Sequence, residues 1–350
     1  MAGPTIEVDI AKVEANTRAV VELCGEHGIE VTGVTKVTCG MPQVAKAMIR
    51  AGVTQIGESR LENIHRLRAG GMNRPVMLLR IPPLSAAEEI VRSVDLTLNS
   101  ELPVIRKLSQ VAESLGTIHR IILMVDLGDL REGIWPAELL PAVREIRELP
   151  GVRIAGIGTN LTCYGGVIPT RENLQQLVDH AKRIEDSFGF AVETISGGNS
   201  STLPLLAAGK VPKEINNLRI GEAILLGRET VGRTPWPGTV QDAFRLRAEV
   251  IERKRKPSVP IGEIGQDAFG KRQIFQDKGE MVRGILNIGR EDVDVDGLTP
   301  EEGLISILGA SSDHLLVDMT ALPEPPELGD ELAFIPNYSA LLACMTSAYV

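Results

Sequence analysis

Lys36 lies in VTGVTKVTCG (31–40), a run of small and β-branched residues of the kind that builds a buried strand. Burying an ammonium alone costs several kcal/mol, so this one is either an edge residue snorkelling to water or a functional amine. Four further stretches place polar residues where apolar strands should end. They are DLGDLREG (126–133) with Asp126 and Arg131, GIGTN ending on Asn160, SGGNSS (196–201), and NNLRIGEAILLG (216–227) with Arg219 and Gly221. The Gly/Ser segment leads from a strand into a helical stretch, so its N–H groups and hydroxyls can receive a phosphate; taken alone it also reads as an ordinary turn. Arg219 can equally pair with a structural carboxylate. An amine able to form an imine, combined with a phosphate site, is what pyridoxal phosphate chemistry requires. A class I aldolase makes the same demand of a lysine but leaves the second part of the chain without a role.

The elements that must position these residues follow from periodicity. After an opening strand around Ile6 to Ile10, apolar β-type runs alternate with amphipathic helical stretches. Eight runs qualify as strands, beginning at VTGVTKV, QIGES, VMLLRI, LTLN, RIILMVDLG, IAGIGTN, VETISGG and NLRIGEAILLG. Between them lie PQVAKAMIRAG, ELPVIRKLSQVAESLG and RENLQQLVDHAKRIEDSFG, several ending at glycine as a left-handed C-cap does. This rhythm predicts an α/β fold, a (β/α)8 TIM barrel over residues 10–231, with a doubly wound open sheet as the alternative. In a barrel, Lys36, Asn99, Asp126, Arg131, Asn160, the Ser196–Ser201 turn and Arg219 share the C-terminal rim, where barrel enzymes assemble their sites. The prolines and glycines of GRTPWPGTVQD (232–242) end the alternation. Beyond them FRLRAEVIER, RGILNIG, LISILGA, DHLLVDMT and ELAFIP predict a mostly antiparallel β domain over 232–350, joined by the N-terminal strand of 1–9. RKRK (253–256) reads as a solvated turn.

The 350-residue chain is 43% apolar, 24% charged and only 3% aromatic, with a net charge of −9. Scarce aromatics argue against stacking on nucleic acid. The acidic balance argues against a polyanion-binding surface and suits a cationic or zwitterionic small substrate. Four widely spaced cysteines and five histidines without ligand spacing predict neither a disulfide framework nor a metal site, and a reducing, cytoplasmic compartment. No membrane span and no targeting signal are expected.

Together these motifs resemble the alanine racemase group of fold-type III pyridoxal phosphate enzymes, and more closely its ornithine racemase branch. VTKVTCG is similar to the strand-one motif carrying the cofactor lysine, DLGDLREG to the segment with a carboxylate-binding arginine, and GTNLTCYGG to the strand-six segment. SGGNSS is similar to the phosphate-binding serine segment and NLRIGEAILLGRET to the strand-eight arginine segment. SVPIGEIGQDAFG, LGASSDHLLVD and NYSALLACMTSAYV follow in the family's order, so the resemblance covers essentially the whole chain. It implies an isomerase, a pyridoxal 5'-phosphate-dependent racemase of a basic amino acid such as ornithine, lysine or arginine. It also implies a homodimer with the active site at the subunit interface. Lys36 is implied as the Schiff-base lysine and one of two catalytic bases, with Arg219 facing the pyridine nitrogen and Asn160 beside the ring. Ser200, backbone groups near Gly221 and Glu222, and the Tyr338 hydroxyl are implied on the phosphate. Arg131, with backbone N–H groups around Ser312, is implied on the substrate carboxylate.

Three departures from the family bear on substrate and mechanism. The stretch matching the one that gives alanine racemases a second base, a tyrosine from the partner subunit, has no tyrosine and offers Asp267. Tyr164 competes with it, and their plain readings are a turn-capping aspartate and a packing tyrosine. A carboxylate base works well only with a raised pKa. Gly40 stands where a phosphate-binding tyrosine is usual, and Asn160 replaces a ring-stacking histidine. These changes point away from alanine, toward a cationic side chain that an added acidic group can pair. Two bases are needed because one group reaches one face of a planar carbanion, and Lys36, desolvated beside cations, is expected to serve at neutral pH. Other readings are an alanine or broad-specificity racemase and a non-catalytic pyridoxal phosphate-binding homeostasis protein, against which the second domain speaks. A fold-type III decarboxylase is disfavoured by Arg219.

Overall fold

The structure, a computed structural model, describes residues 3–350, so positions 1 and 2 of the expected N-terminal strand lie outside the described residues. The chain divides into two compact units, one spanning Ile10–Gln241 and one joining the stretch before Ile10 to Asp242–Val350.

The first unit is a closed barrel of eight parallel strands. After β1 (Thr5–Val8) and α1 (Ile10–Glu26) come β2 (Glu30–Val34), α2 (Pro42–Arg50), β3 (Gln55–Glu58), α3 (Leu61–Ala69), β4 (Val76–Leu78), α4 (Ala87–Ser93), β5 (Leu96–Asn99) and α5 (Leu102–Ser114). They are followed by β6 (His119–Met124), α6 (Leu139–Ile146), β7 (Val152–Gly158), α7 (Arg171–Phe188), β8 (Thr194–Ser196), α8 (Leu203–Ala207), β9 (Asn217–Ile220) and α9 (Glu222–Leu225). The barrel closes where β2 pairs with β9, Thr32 opposite Arg219. Its strands are short apolar runs because both faces are covered. Met77, Leu96, Leu98, Ile122, Met124 and Ala155 fill one cluster, each large side chain contributing about 1.5–3 kcal/mol by leaving water. The doubly wound alternative is thereby replaced by the barrel.

Helix α7 shows how sequence sets the outer layer. Leu174, Leu177, Val178, Ala181 and Ile184 recur at helical spacing and are buried. Thr170 Oγ1 accepts from Asn173 N while Asn173 Oδ1 accepts from Thr170 N, a reciprocal cap. Gly189, at φ 73°, ends the helix in the left-handed region as its position predicts.

The second unit is an antiparallel sheet of β10 (Phe244–Pro257), β11 (Glu280–Leu286), β12 (Leu298–Pro300), β13 (Ser306–Ala310), β14 (Leu315–Asp318) and β15 (Glu331–Pro336), with β1 pairing β10, and a helix α10 (Tyr338–Thr346). RKRK is not a turn: Arg253–Lys256 lie in β10, opposite Gly284 to Met281 of β11. Long basic side chains keep their charges in water while their backbone completes a ladder. Leu246, Val250, Leu286, Leu315, Val317 and Phe334 form this unit's buried core.

Candidate active site

Strand β2 ends at Val34, and Lys36 begins a single 3-10 turn, Lys36–Thr38, at the C-terminal end of the barrel. Its side chain is exposed. The expected desolvation beside cations is therefore corrected. Lys36 faces water, and the charge it acts on is the Glu222 carboxyl, which burial pushes up while the Arg233 and Lys36 cations pull it down. Glu222 is further paired with Arg233, 2.6 Å away.

Arg219 projects from β9 into the barrel and is 5% exposed. It donates to Ser196 Oγ, to the Thr159 carbonyl at 2.7 Å and to Asn160 Oδ1 at 3.5 Å, so these acceptors are neutral dipoles rather than the carboxylate of the alternative reading. The row continues across the barrel: Ser196 Oγ donates to Asn217 Oδ1 (2.5 Å), Asn217 Nδ2 to Thr32 Oγ1 (3.0 Å), and Thr32 Oγ1 to Gln55 Oε1 (3.2 Å). Burial pulls the Arg219 guanidinium down to about 10, which leaves it protonated at neutral pH.

Asn160 stands between two guanidinium groups. In one amide orientation its oxygen accepts from Asn199 Nδ2 (3.0 Å) and Arg219; in the other it accepts from Arg131 Nη2 at 2.6 Å. Arg131 already holds a carboxylate: both its Nε and Nη2 donate to the adjacent Glu132. The loop bearing Asn160 and Tyr164 is fixed by Asp129, whose carboxylate accepts from Tyr164 N (2.9 Å), Val167 N (3.0 Å) and Cys163 N (3.3 Å). Burial raises the Asp129 carboxyl, but these backbone donors outweigh it and hold the group below its ordinary range.

In the Ser196–Ser201 segment, Ser200 and Ser201 are each 2% exposed. Ser200 Oγ accepts from Ala223 N at 3.2 Å, tying this segment to the turn at Gly221 and Glu222. Ser201 Oγ is buried with no hydrogen-bond partner. A native hydroxyl left orphaned inside a protein calls for a ligand or ordered water. An exposed amine, an orphaned hydroxyl and a buried guanidinium on neutral partners are a donor set that fits an aldehyde-bearing phosphate ester such as pyridoxal phosphate.

The remaining expected residues lie in the second unit. Asp267 Oδ1 accepts from Phe269 N and Lys271 N, both 2.9 Å, and Oδ2 from Gln273 Nε2 at 2.7 Å, so within this chain it ties a turn together. Those donors, the Gln273 amide first, hold its pKa below the ordinary value, the opposite of what a carboxylate base needs. Ser312 is exposed and donates to Asp313 Oδ2 at 2.8 Å. Tyr338 opens α10, whose cap is Asn337 Oδ1 accepting from Ala340 N. Asn99 is buried, donates to Thr97 Oγ1 at 2.7 Å and leaves its own oxygen unpartnered. Nothing in the sequence signals the parts taken by Glu58, Asp129 and Glu132, although each sits inside a stretch singled out above, whereas the Ser201 hydroxyl belongs to the segment expected to receive a phosphate.

No group of three or more His, Cys, Asp or Glu able to hold a metal is found among the described residues, and no described helix is long and apolar enough to cross a membrane.

Comparison with known proteins bears on the family and the fold. The family model described as alanine racemase, N-terminal domain, matches residues 8–229. A lysine racemase of Thermotoga maritima is 42% identical over 350 residues, covering 100% of this chain and 98% of its own. An ornithine racemase of Acetoanaerobium sticklandii is 42% identical over 348 residues, 99% of this chain and 98% of its own. Among solved structures, the alanine racemase of D-cycloserine-producing Streptomyces lavendulae superposes with a TM-score of 0.76 at 19% identity, covering 100% of this chain and 96% of that one. The Bartonella henselae alanine racemase with covalently bound pyridoxal phosphate gives 0.74 at 19% identity, covering 100% and 99%.

Proposed function

The chain belongs to the alanine racemase N-terminal domain family, and from that premise we propose that it is a pyridoxal 5'-phosphate-dependent isomerase interconverting the L and D forms of a basic amino acid. The observation that carries the reading is the set gathered at one rim of the barrel: exposed Lys36, orphaned Ser201 and buried, protonated Arg219. The substrate class rests on the lysine and ornithine racemases that match along their whole length. It also suits a rim that carries the Arg131–Glu132 pair and the Glu222 carboxyl beside Arg233, groups of the charge needed for an α-carboxylate and a distal ammonium.

When bound, the cofactor acidifies the substrate α-carbon by drawing its electrons into the ring. The chain does the rest. Lys36 Nζ anchors the cofactor and then moves the α-proton on one face. Ser200, joined by Ser201, and the turn at Gly221 and Glu222 would hold the phosphate. Arg219, beside Asn160, would hold the ring nitrogen and, being protonated, could only donate to it, which would favour plain proton exchange. Arg131 would orient the substrate carboxylate. Asp267, brought by a second copy in a homodimer whose sites lie at the interface, serves the opposite face. Tyr164 is the second reading, because it is 77% exposed on the barrel's own rim loop while Asp267 is engaged in a turn. A reducing, cytoplasmic setting suits Cys24, Cys163 and Cys344, which form no disulfide among the described residues.

Borohydride reduction of the cofactor-loaded protein followed by peptide mapping tests the anchor: the label is expected on Lys36, and a label elsewhere overturns the site. D267N and Y164F separate the two bases. The variant lacking the opposite-face base should still bind cofactor yet lose racemisation by about a hundredfold or more.

A further inference from the structure

Glu58, at the end of β3, is a fully buried carboxylate, 0% exposed, beside the turn that carries Lys36. Its Oε1 accepts from Thr35 Oγ1 at 2.8 Å, and its Oε2 from Ser59 N at 2.9 Å and Asn63 Nδ2 at 3.1 Å. The Arg60 backbone N–H adds a further donor. All these partners are uncharged. A buried carboxylate without a counterion is expensive, and an apolar side chain would fill the same space at lower cost.

What the carboxylate holds is the conformation around Lys36. Thr35 precedes the lysine; its N–H donates to Gly57 O (3.1 Å), and its carbonyl accepts from Thr38 Oγ1 (2.9 Å) and Gly40 N (3.3 Å). The turn then leaves through Cys39 at φ 49° and Gly40 at φ 65°, two successive left-handed residues. A non-glycine residue is strained there, so surrounding contacts must impose it. Arg66 Nη1 donates to Cys39 O at 2.7 Å, and Asn63, Glu58's own partner, closes on Gly40 so tightly that a Cβ would lie 2.6 Å from Asn63 O. Glu58 thus joins the residue before Lys36 to the residue against which its turn packs.

We infer that Glu58 is a positioning residue for Lys36, fixing the Thr35–Gly40 turn through Thr35 and Asn63 so that the amine at the end of a flexible four-carbon stem meets the cofactor in one place. The role rests on the reading of Lys36 as the cofactor lysine. Misplacement by about 1 Å at a reacting atom costs about a hundredfold in rate, so a fixed turn matters more here than elsewhere on the rim.

The test uses E58Q, T35V, their double variant and T35S, each titrated with pyridoxal 5'-phosphate. Absorbance of the lysine-bound cofactor is followed alongside kcat, KM and the melting temperature of the cofactor-free chain. E58Q and T35V should each weaken cofactor capture by about tenfold and lower kcat at least tenfold, with KM within about threefold. T35S, which keeps the hydroxyl, should behave as the unaltered protein, and the double variant should be no worse than E58Q, because both cut one link. Lowered melting temperatures with normal capture and kcat per folded molecule, or additive losses, overturn the inference while leaving the Lys36 reading intact. If the unaltered chain captures no cofactor on Lys36, that reading fails and this inference with it. Should E58Q not fold, T35V and T35S decide the question alone.

Discussion

Asp129→Asn should loosen the rim loop that carries Asn160 and Tyr164. The carboxylate is 1% exposed and collects the N–H groups of Tyr164, Val167 and Cys163. An asparagine in the same place turns an NH2 toward one set of these donors, losing at least one charge-assisted hydrogen bond worth about 1.5–3 kcal/mol and weakening the rest. The sum is about 3 kcal/mol. At about 2–4 °C per kcal/mol for a unit of this size, melting of the barrel unit should fall by about 6–12 °C. The sign with pH follows from the depressed pKa. The folded-state pKa lies below the ordinary 3.8, so the stabilisation is present above that value and disappears as pH falls through the folded pKa. Calorimetric melts of both proteins from pH 7 down to about pH 3 should show the gap shrinking only at the acid end, and KM for the amino acid should rise because the loop borders Arg131. Equal melting at pH 7, or a gap that persists unchanged in acid, refutes the role given to this carboxylate.

Ser201→Ala removes a hydroxyl that has no partner. The melting temperature of the cofactor-free protein should stay the same or rise slightly while pyridoxal 5'-phosphate binding weakens about tenfold; a lowered melting temperature with unchanged binding contradicts a phosphate role. His119 is 3% exposed beside Thr97 Oγ1 at 3.0 Å, and burial pulls its pKa from 6.5 down to about 4. Because the folded pKa is depressed, stability is full above 6.5 and declines by up to about 3 kcal/mol as pH falls toward 4. Denaturant midpoints of His119→Gln should lack this decline, and a variant with the unaltered protein's acid slope counts against it.

The barrel was legible because parallel strands are continuous apolar runs, so a polar residue at the end of one stands out against them, as Lys36, Arg131 and Arg219 do. What those residues touch was not legible. Nothing near Arg219 in the sequence distinguishes a carboxylate partner from Ser196 and the Thr159 carbonyl, which arrive from other strands. Nothing in QIGES marks Glu58 as buried, yet the following helix turns Asn63 back over it. Asp129 and Glu132 were in plain view within DLGDLREG, but adjacent charges give no indication of which one a loop will fold around. RKRK misled because composition favoured a turn, whereas consecutive long cations are tolerated along a paired strand whose side chains reach water. Asp267 has a local signal for either role, since a turn-capping aspartate and a base carried on a loop look alike in sequence.

The central claim, two-base proton exchange on a basic amino acid by a cofactor held on Lys36, is tested most directly in deuterium oxide. The protein loaded with pyridoxal 5'-phosphate is given each enantiomer of ornithine, lysine and alanine, and α-proton loss and optical rotation are followed together. The account predicts that ornithine or lysine, from either enantiomer, loses its α-proton and its rotation, far faster than alanine does, and that Lys36→Ala abolishes both changes. Absence of exchange with either basic amino acid, or exchange unaffected by the loss of Lys36, would contradict it.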